Sequence, residues 1–237
     1  MNSELREYHD QIRRNKQEGT SCCCSCPLRG DKYNGPALIE CAEDYPEIVV
    51  VSESPAGRPE DTRDIRQWTR RVLMSCCKKS SGNVSSARDM GYFIGRLTRG
   101  KVYHADDPER THNLYWTHTM KCFIQNKDIP IRDAKKEKDQ KRVTIFRSGI
   151  KSCSKYLEDE IRKAGPANPK LVIAVGDEAY NTLVETVPKE KLCRMYHPGA
   201  WGKKQVKIEK ETRLACLRAK VKEFGLTCLL RGCVDPT

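Results

Sequence analysis

The sequence predicts a three-layer α/β fold with a mainly parallel central sheet of about four strands, carried as one domain over residues 1–237. Three observations predict it. Short β-branched or aromatic runs alternate with stretches whose apolar residues recur at helical spacing, the order that produces parallel strands with helices packed on the sheet. The runs stop at loops rich in Gly, Pro, Ser or His, and in an open α/β sheet ligands are met where loops leave the C-terminal strand ends. The chain is also long enough for one well-buried core, and its length does not force a second domain.

Residues 1–19 predict a basic amphipathic helix with Leu5, Tyr8 and Ile12 on one face and Gly19 ending it. A turn-rich segment through Gly35 and Pro36 follows, carrying Cys22, Cys23, Cys24 and Cys26. Ile48 to Val51 is the first strand; it breaks into a Ser/Pro/Gly-rich turn with Glu53 two residues past the last valine. Glu53 is either a functional carboxylate or a cap on the following turn. Ile65, Trp68, Val72 and Leu73 predict a helix over 62–79, Ser80 to Ser86 a loop, and Ala87 to Leu97 another helix.

Leu114 to Met120 predicts a second strand that ends at chemistry, with His118, Lys121 and Cys122. The charge run Asp133 to Arg142 reads as a solvated loop or helix. A long helix over 143–163 carries Cys153 and is stopped by Gly165 and Pro166. Leu171 to Val175 is a buried strand, after which Gly176 and Asp177 open a helix with Asp177 as N-cap. Leu192 to Tyr196 is a fourth strand that delivers His197, Pro198 and Gly199, and a basic helix over 209–224 sets Leu214, Leu217 and Val221 on one face. Parallel strands in this arrangement bring Glu53, His118 and His197 toward one rim, as an active-site cleft requires.

Lys and Arg number 44 against 32 Asp and Glu, a net charge of +12. With no apolar span of membrane length, this favours a polyanionic partner, nucleic acid before membrane, the alternative being a generally basic, soluble surface. The charged N-terminus has no apolar signal-peptide core, which places the protein inside a cell. Thirteen cysteines, an odd number, are then better read as metal ligands than as a disulfide framework. Cys23 and Cys26 form a C-x-x-C pair, and with two distant cysteines such a pair suits tetrahedral Zn²⁺ and an iron-sulfur cluster equally.

Five motifs in order, from about residue 23 to 202, resemble the uracil-DNA glycosylase superfamily, most closely its iron-sulfur family 4 type. The family's Gly-Glu-x-Pro-Gly turn and the acids after it resemble Ser52-Glu53-Ser54-Pro55-Ala56-Gly57 with Glu60-Asp61. Its Tyr-x-Thr-Asn-x-x-Lys-Cys resembles Tyr115 to Cys122, with His118 where the family has Asn. A later helical cysteine resembles Cys153, followed by Tyr156, Leu157 and Glu158. The buried strand before Gly176 and the loop His197-Pro198-Gly199, where the family has His-Pro-Ser, complete the set.

The resemblance implies a DNA glycosylase that hydrolyses the N-glycosidic bond of uracil or another deaminated base, its partner being DNA that carries such bases. The alternative is a catalytically silent iron-sulfur protein of the same fold that binds nucleic acid. It assigns Cys23, Cys26, Cys122 and Cys153 to a [4Fe-4S] cluster of structural role, with Zn²⁺ as the alternative. It makes Glu53 the carboxylate that activates water and faces the cationic sugar, and His197 the donor to the departing base. His118 and Ser54 fall among the substrate-binding residues, Trp68 becomes the aromatic that stacks on the flipped base unless it packs in the core, and Trp201 the wedge left in the duplex. Residues 123–147 become an insertion relative to the family. His118 in place of Asn implies looser selection for uracil and a wider range of deaminated bases.

Overall fold

The computed structural model describes residues 3–28, 40–41, 46–53, 103–104, 107–111, 114–122, 135–164, 169–196 and 204–225. The expected helices over 62–79 and 87–97, and the loop between them, lie outside these residues. Among the described residues no helix is long and apolar enough to cross a membrane.

The elements are α1 (Ser3–Glu18), a 3₁₀ turn (Ser21–Cys23), β1 (Glu40–Cys41), β2 (Ile48–Ser52), β3 (Tyr103–His104), β4 (Asp107–Thr111), β5 (Leu114–His118), α2 (Lys135–Ala164), β6 (Leu171–Val175), α3 (Asp177–Leu183), β7 (Leu192–Met195) and α4 (Lys204–Glu223). β5, β2, β6 and β7 form a four-stranded sheet in that order, and every neighbouring pair is parallel. Parallel strands need helical crossovers that cover the faces. Accordingly α2 packs on β5 and α1, α3 on β6 and β7, and α4 on β7. All of β2 and β6 is buried, which is why both read as unbroken apolar runs rather than alternating ones. The four strands and their helices bear out the α/β expectation.

A second, small sheet of order β1, β4, β3 was not anticipated. β4 reads Asp-Pro-Glu-Arg-Thr, and charged residues with a proline carry no strand signal. The charge run after Asp133 is helical: α2 begins at Lys135, so residues 135–147 of the expected insertion are the opening turns of the helix that bears Cys153. Long charged side chains are good helix formers, and helical spacing of apolar residues begins only further on. α4 likewise starts at Lys204, ahead of the apolar face that predicted it. Leu217 and Val221 of that face are buried. β5 stops at His118, and Thr119 and Met120 bend away.

The face of α1 is also corrected. Gly19 ends the helix with φ +66°, the left-handed conformation glycine adopts without strain. The buried stripe is Leu5, His9, Ile12 and Lys16, with Tyr8 at its edge donating to Asp159 Oδ2 at 3.0 Å. Leu5 joins the main core with Val49, Val51, Tyr115, Leu157 and Val172. His9 interrupts the apolar pattern because it meets Tyr115 and Glu160 inside, and Lys16 because it borders the buried cysteines.

The principal buried polar group is the Glu160 carboxylate on α2, wholly inaccessible. Tyr115 Oη donates to Oε1 at 3.1 Å and Thr117 Oγ1 to Oε2 at 2.9 Å. Lys121 Nζ forms an ion pair with Oε2 and also donates to Thr117 Oγ1 at 2.7 Å and to the His118 carbonyl at 2.6 Å. His9 Nε2 lies 2.8 Å from Tyr115 Oη. Burial alone would raise this carboxyl, but the Lys121 ammonium and His9 more than offset it, and Glu160 lies below the ordinary carboxylate range.

Removing one member of a buried pair strands the other charge, at about 3–5 kcal/mol. Lys121→Met should therefore lower the unfolding free energy in urea by that amount. The double variant Lys121→Met, Glu160→Gln should recover much of the loss, since the Gln carbonyl still accepts from Tyr115 and its amide N–H can donate to Thr117 Oγ1, which Lys121 no longer occupies. A single variant within about 1 kcal/mol of the parent would show the pair to be energetically idle.

Candidate active site

The C-terminal ends of the four parallel strands form one row. His118 is in register with Ser52, Ser52 with Val175, and Val175 with Met195. The backbone continues to pair just past this row: Thr119 N–H donates to the Ser52 carbonyl at 2.8 Å, Met120 N–H to the Glu53 carbonyl at 2.9 Å, and Gly176 N–H to the Met195 carbonyl at 2.9 Å. The rim is thus tied by backbone hydrogen bonds where Glu53 and His118 leave it.

Glu53 reaches across to α3. Its Oε1 accepts the Glu178 N–H at 3.4 Å, at the positive end of the helix. Among the described residues, the capping that the sequence allowed for Glu53 falls on a helix far along the chain. Asp177, expected as N-cap, is instead the first helical residue; Gly176 is the cap, and Asp177 turns outward to accept Arg194 Nη2 at 2.6 Å and Nε at 3.2 Å. With Glu53 already at the helix end, a second carboxylate there would meet its charge. Burial raises the Glu53 carboxyl pKa and the neighbouring Glu178 and Asp177 carboxylates add to this, while the Glu178 N–H opposes it. A half-buried carboxylate of this kind can hold a water, take its proton or face a developing cation.

Gly176 makes that position possible. Its φ of +101° suits glycine, and a Cβ there would stand 2.2 Å from Glu53 Oε1. Neither Gly176 nor Ser52 is a candidate by residue type alone. The signal for both is positional, since each stands immediately at a predicted strand end.

His118 is buried and neutral. Desolvation, with the Lys121 charge beside it, lowers its pKa to about 3. Its Nδ1 lies 2.6 Å from Ser52 Oγ, which also accepts Trp116 Nε1–H at 3.1 Å.

The four expected metal ligands come together. Cys23 and Cys26 from the segment after α1, Cys122 after β5 and Cys153 on α2 are all buried and line one cavity, with Ile12, Lys16, Met120, Lys121, Ser152 and Tyr156. Tyr156 Oη approaches Cys23 Sγ at 3.9 Å and accepts Asn15 Nδ2–H at 3.0 Å. Burial raises the pKa of Cys23, raises that of Cys122 well above the thiol range and takes Cys153 to about 12. Among the described residues no group of three or more His, Cys, Asp or Glu side chains stands close enough to hold a single metal ion. Cys22 and Cys24, the neighbours in the motif, are half-buried and exposed respectively and do not line the cavity. Lys16 in this wall was missed from the sequence. Its signal is a charge at helical spacing after Leu5 and Ile12.

Ser54, Trp68, His197 and Trp201 lie outside the described residues. Tyr196, which precedes His197, is the last described residue before that loop, and the Tyr196 ring lies under the Arg213 guanidinium of α4, 3.5 Å from the centroid. Such a stack ties the exit of β7 to the closing helix.

Residues 39–219 match the family described as the uracil DNA glycosylase superfamily. A search among curated proteins gave no match.

Alanine at Gly176 should be strained twice over, by its backbone conformation and by the Glu53 carboxylate. Gly176→Ala should lower the unfolding free energy by about 1–3 kcal/mol. Adding Glu53→Ala should relieve the clash but leave the backbone strain, so only part of the stability returns. If Gly176→Ala unfolds like the parent, Glu53 is not held against this position.

Proposed function

The chain belongs to the uracil DNA glycosylase superfamily, which its family match over residues 39–219 shows, and on that premise we propose that it excises uracil or another deaminated base from DNA by hydrolysing the N-glycosidic bond. The observation that carries this reading is a half-buried carboxylate, Glu53, held at the C-terminal rim of a parallel sheet with His118 on the adjacent strand end. A base inside a duplex must first be extruded, at a cost of a few kcal/mol, and the net charge of +12 supplies the phosphate contacts that offset it. As the bond breaks the sugar becomes cationic and the base anionic. Glu53 orients the water, accepts its proton and stabilises the sugar; His197 donates to the base; Trp68, Ser54 and Trp201 hold the flipped nucleotide and the gap it leaves.

The reading extends to a [4Fe-4S] cluster on Cys23, Cys26, Cys122 and Cys153. Its support is a donor set of four buried thiols around one cavity, drawn from three distant parts of the chain. Zinc would need every sulfur about 2.3 Å from one ion, whereas a cluster gives each thiolate its own iron and tolerates a wider ring. When bound it supplies a cross-link among the N-terminal segment, β5 and α2. The four cysteines would hold it, and Lys16 and Lys121 beside them offset thiolate charge.

Release of free base from oligonucleotides carrying uracil, hypoxanthine or xanthine, leaving an alkali-labile site, tests the activity. Glu53→Gln keeps the shape and removes the charge, so single-turnover excision should fall by about two decades or more while DNA binding is kept. Excision at the parental rate would remove Glu53 from the chemistry, and a parent protein that released no base would leave DNA binding alone.

Anaerobically purified protein should be brown and hold about four iron and about four sulfide per chain. Cys153→Ala should lose both, and Cys216→Ala, exposed on α4 and away from the cavity, neither. Stoichiometric zinc without sulfide would overturn the assignment.

A further inference from the structure

Ser52 sits where the resembling family has glycine, and it is in register with His118 on the neighbouring strand. Trp116 and His118 are two apart on β5 and so project from the same face, their rings edge to face with centroids 5.5 Å apart. Strand geometry alone therefore gathers three polar atoms. The Trp116 indole N–H can only donate, so Ser52 Oγ accepts it at 3.1 Å. The hydroxyl then has one proton and two acceptors in reach: His118 Nδ1 at 2.6 Å and the Thr117 carbonyl at 3.5 Å. Nδ1 is much the closer. A neutral imidazole whose Nδ1 accepts carries its proton on Nε2.

We propose that Ser52 is a positioning residue that locks His118 as its Nε2–H tautomer, and that the pair selects flipped bases by a carbonyl oxygen at the position where the parent base carries an amine. This rests on the glycosylase reading above. An Asn amide matches uracil with one donor and one acceptor, but here the ring's acceptor is consumed by Ser52. Whatever His118 offers a base through its nitrogens is a donor. Deamination converts the exocyclic amine of cytosine, at C4, and of adenine, at C6, into a carbonyl. One fixed donor suits both products and opposes both parents, so uracil and hypoxanthine form one substrate class across ring sizes. An amine facing that donor leaves both N–H groups unpaired, worth about 10- to 100-fold in rate.

The lock is read without any activity from long-range imidazole ¹⁵N spectra, with His118 assigned by its loss in His118→Asn. The parent should show a pyridine-like Nδ1 and a pyrrole-like Nε2, unchanged between pH 5 and 8. Ser52→Ala, and Ser52→Gly as a second variant, should mix the two tautomers. A pyrrole-like Nδ1 in the parent overturns the lock. In single-turnover excision the parent should release hypoxanthine as well as uracil, and both variants should lose about tenfold in uracil-over-cytosine and hypoxanthine-over-adenine preference. Release of uracil without hypoxanthine, or unchanged ratios in both variants, overturns the reader. No release of any base would overturn the glycosylase reading and the reader with it, while the ¹⁵N shifts still decide the lock.

Discussion

One buried carboxylate sets the terms for the rest of the molecule. Glu160 has no contact with water, so each of its lone pairs must be met from within, and the groups that meet them come from three elements. Tyr115 and Thr117 fix the middle of β5, His9 brings in α1, and Lys121 closes the set from the loop after β5. Because the Lys121 ammonium also holds the His118 carbonyl, the charge balance of the core and the position of a rim residue are the same set of bonds. The adjacent Cys122 is carried along with it into the wall of the cysteine cavity. Interior electrostatics and site geometry cannot be altered separately here.

The sheet was legible because its strands are buried on both faces. Ile48 to Val51 and Leu171 to Val175 are runs that solvent would penalise anywhere else, and their spacing along the chain leaves parallel pairing as the simple solution. The rim residues Glu53 and His118 followed from the strand ends. The small sheet was illegible because β1 and β3 are two-residue strands and β4 is charged, so nothing periodic marks them. The early start of α2 was hidden for the opposite reason: Lys135 to Gln140 have helix propensity but no apolar face to reveal it.

Side-chain partnerships were the least legible level. Periodicity put Tyr8 on the inner face of α1, whereas His9 and Lys16 lie deeper, since burial there depends on a carboxylate and a ring of thiols supplied by other elements. Likewise Asp177 has the composition of an N-cap, and it is displaced because Glu53 arrives from β2 to occupy the helix end. Local preference is overruled wherever a distant charge has a stronger claim on the same backbone groups. That happens here at the rim of the sheet, where a carboxylate is retained in a partly buried setting that raises its pKa.

The family match begins at residue 39, yet α1 and the cysteine pair that follows it lie before that point. Leu5 fills part of the main core, His9 completes the shell around Glu160, and Cys23 and Cys26 make one side of the cysteine cavity. The region that defines ancestry and the residues that build the core therefore have different boundaries. A fragment cut to the family's limits would expose the lower half of α2 and leave a carboxylate facing solvent through the gap. For this chain the main core includes the N-terminal helix, and any domain graft or truncation has to carry that helix with it.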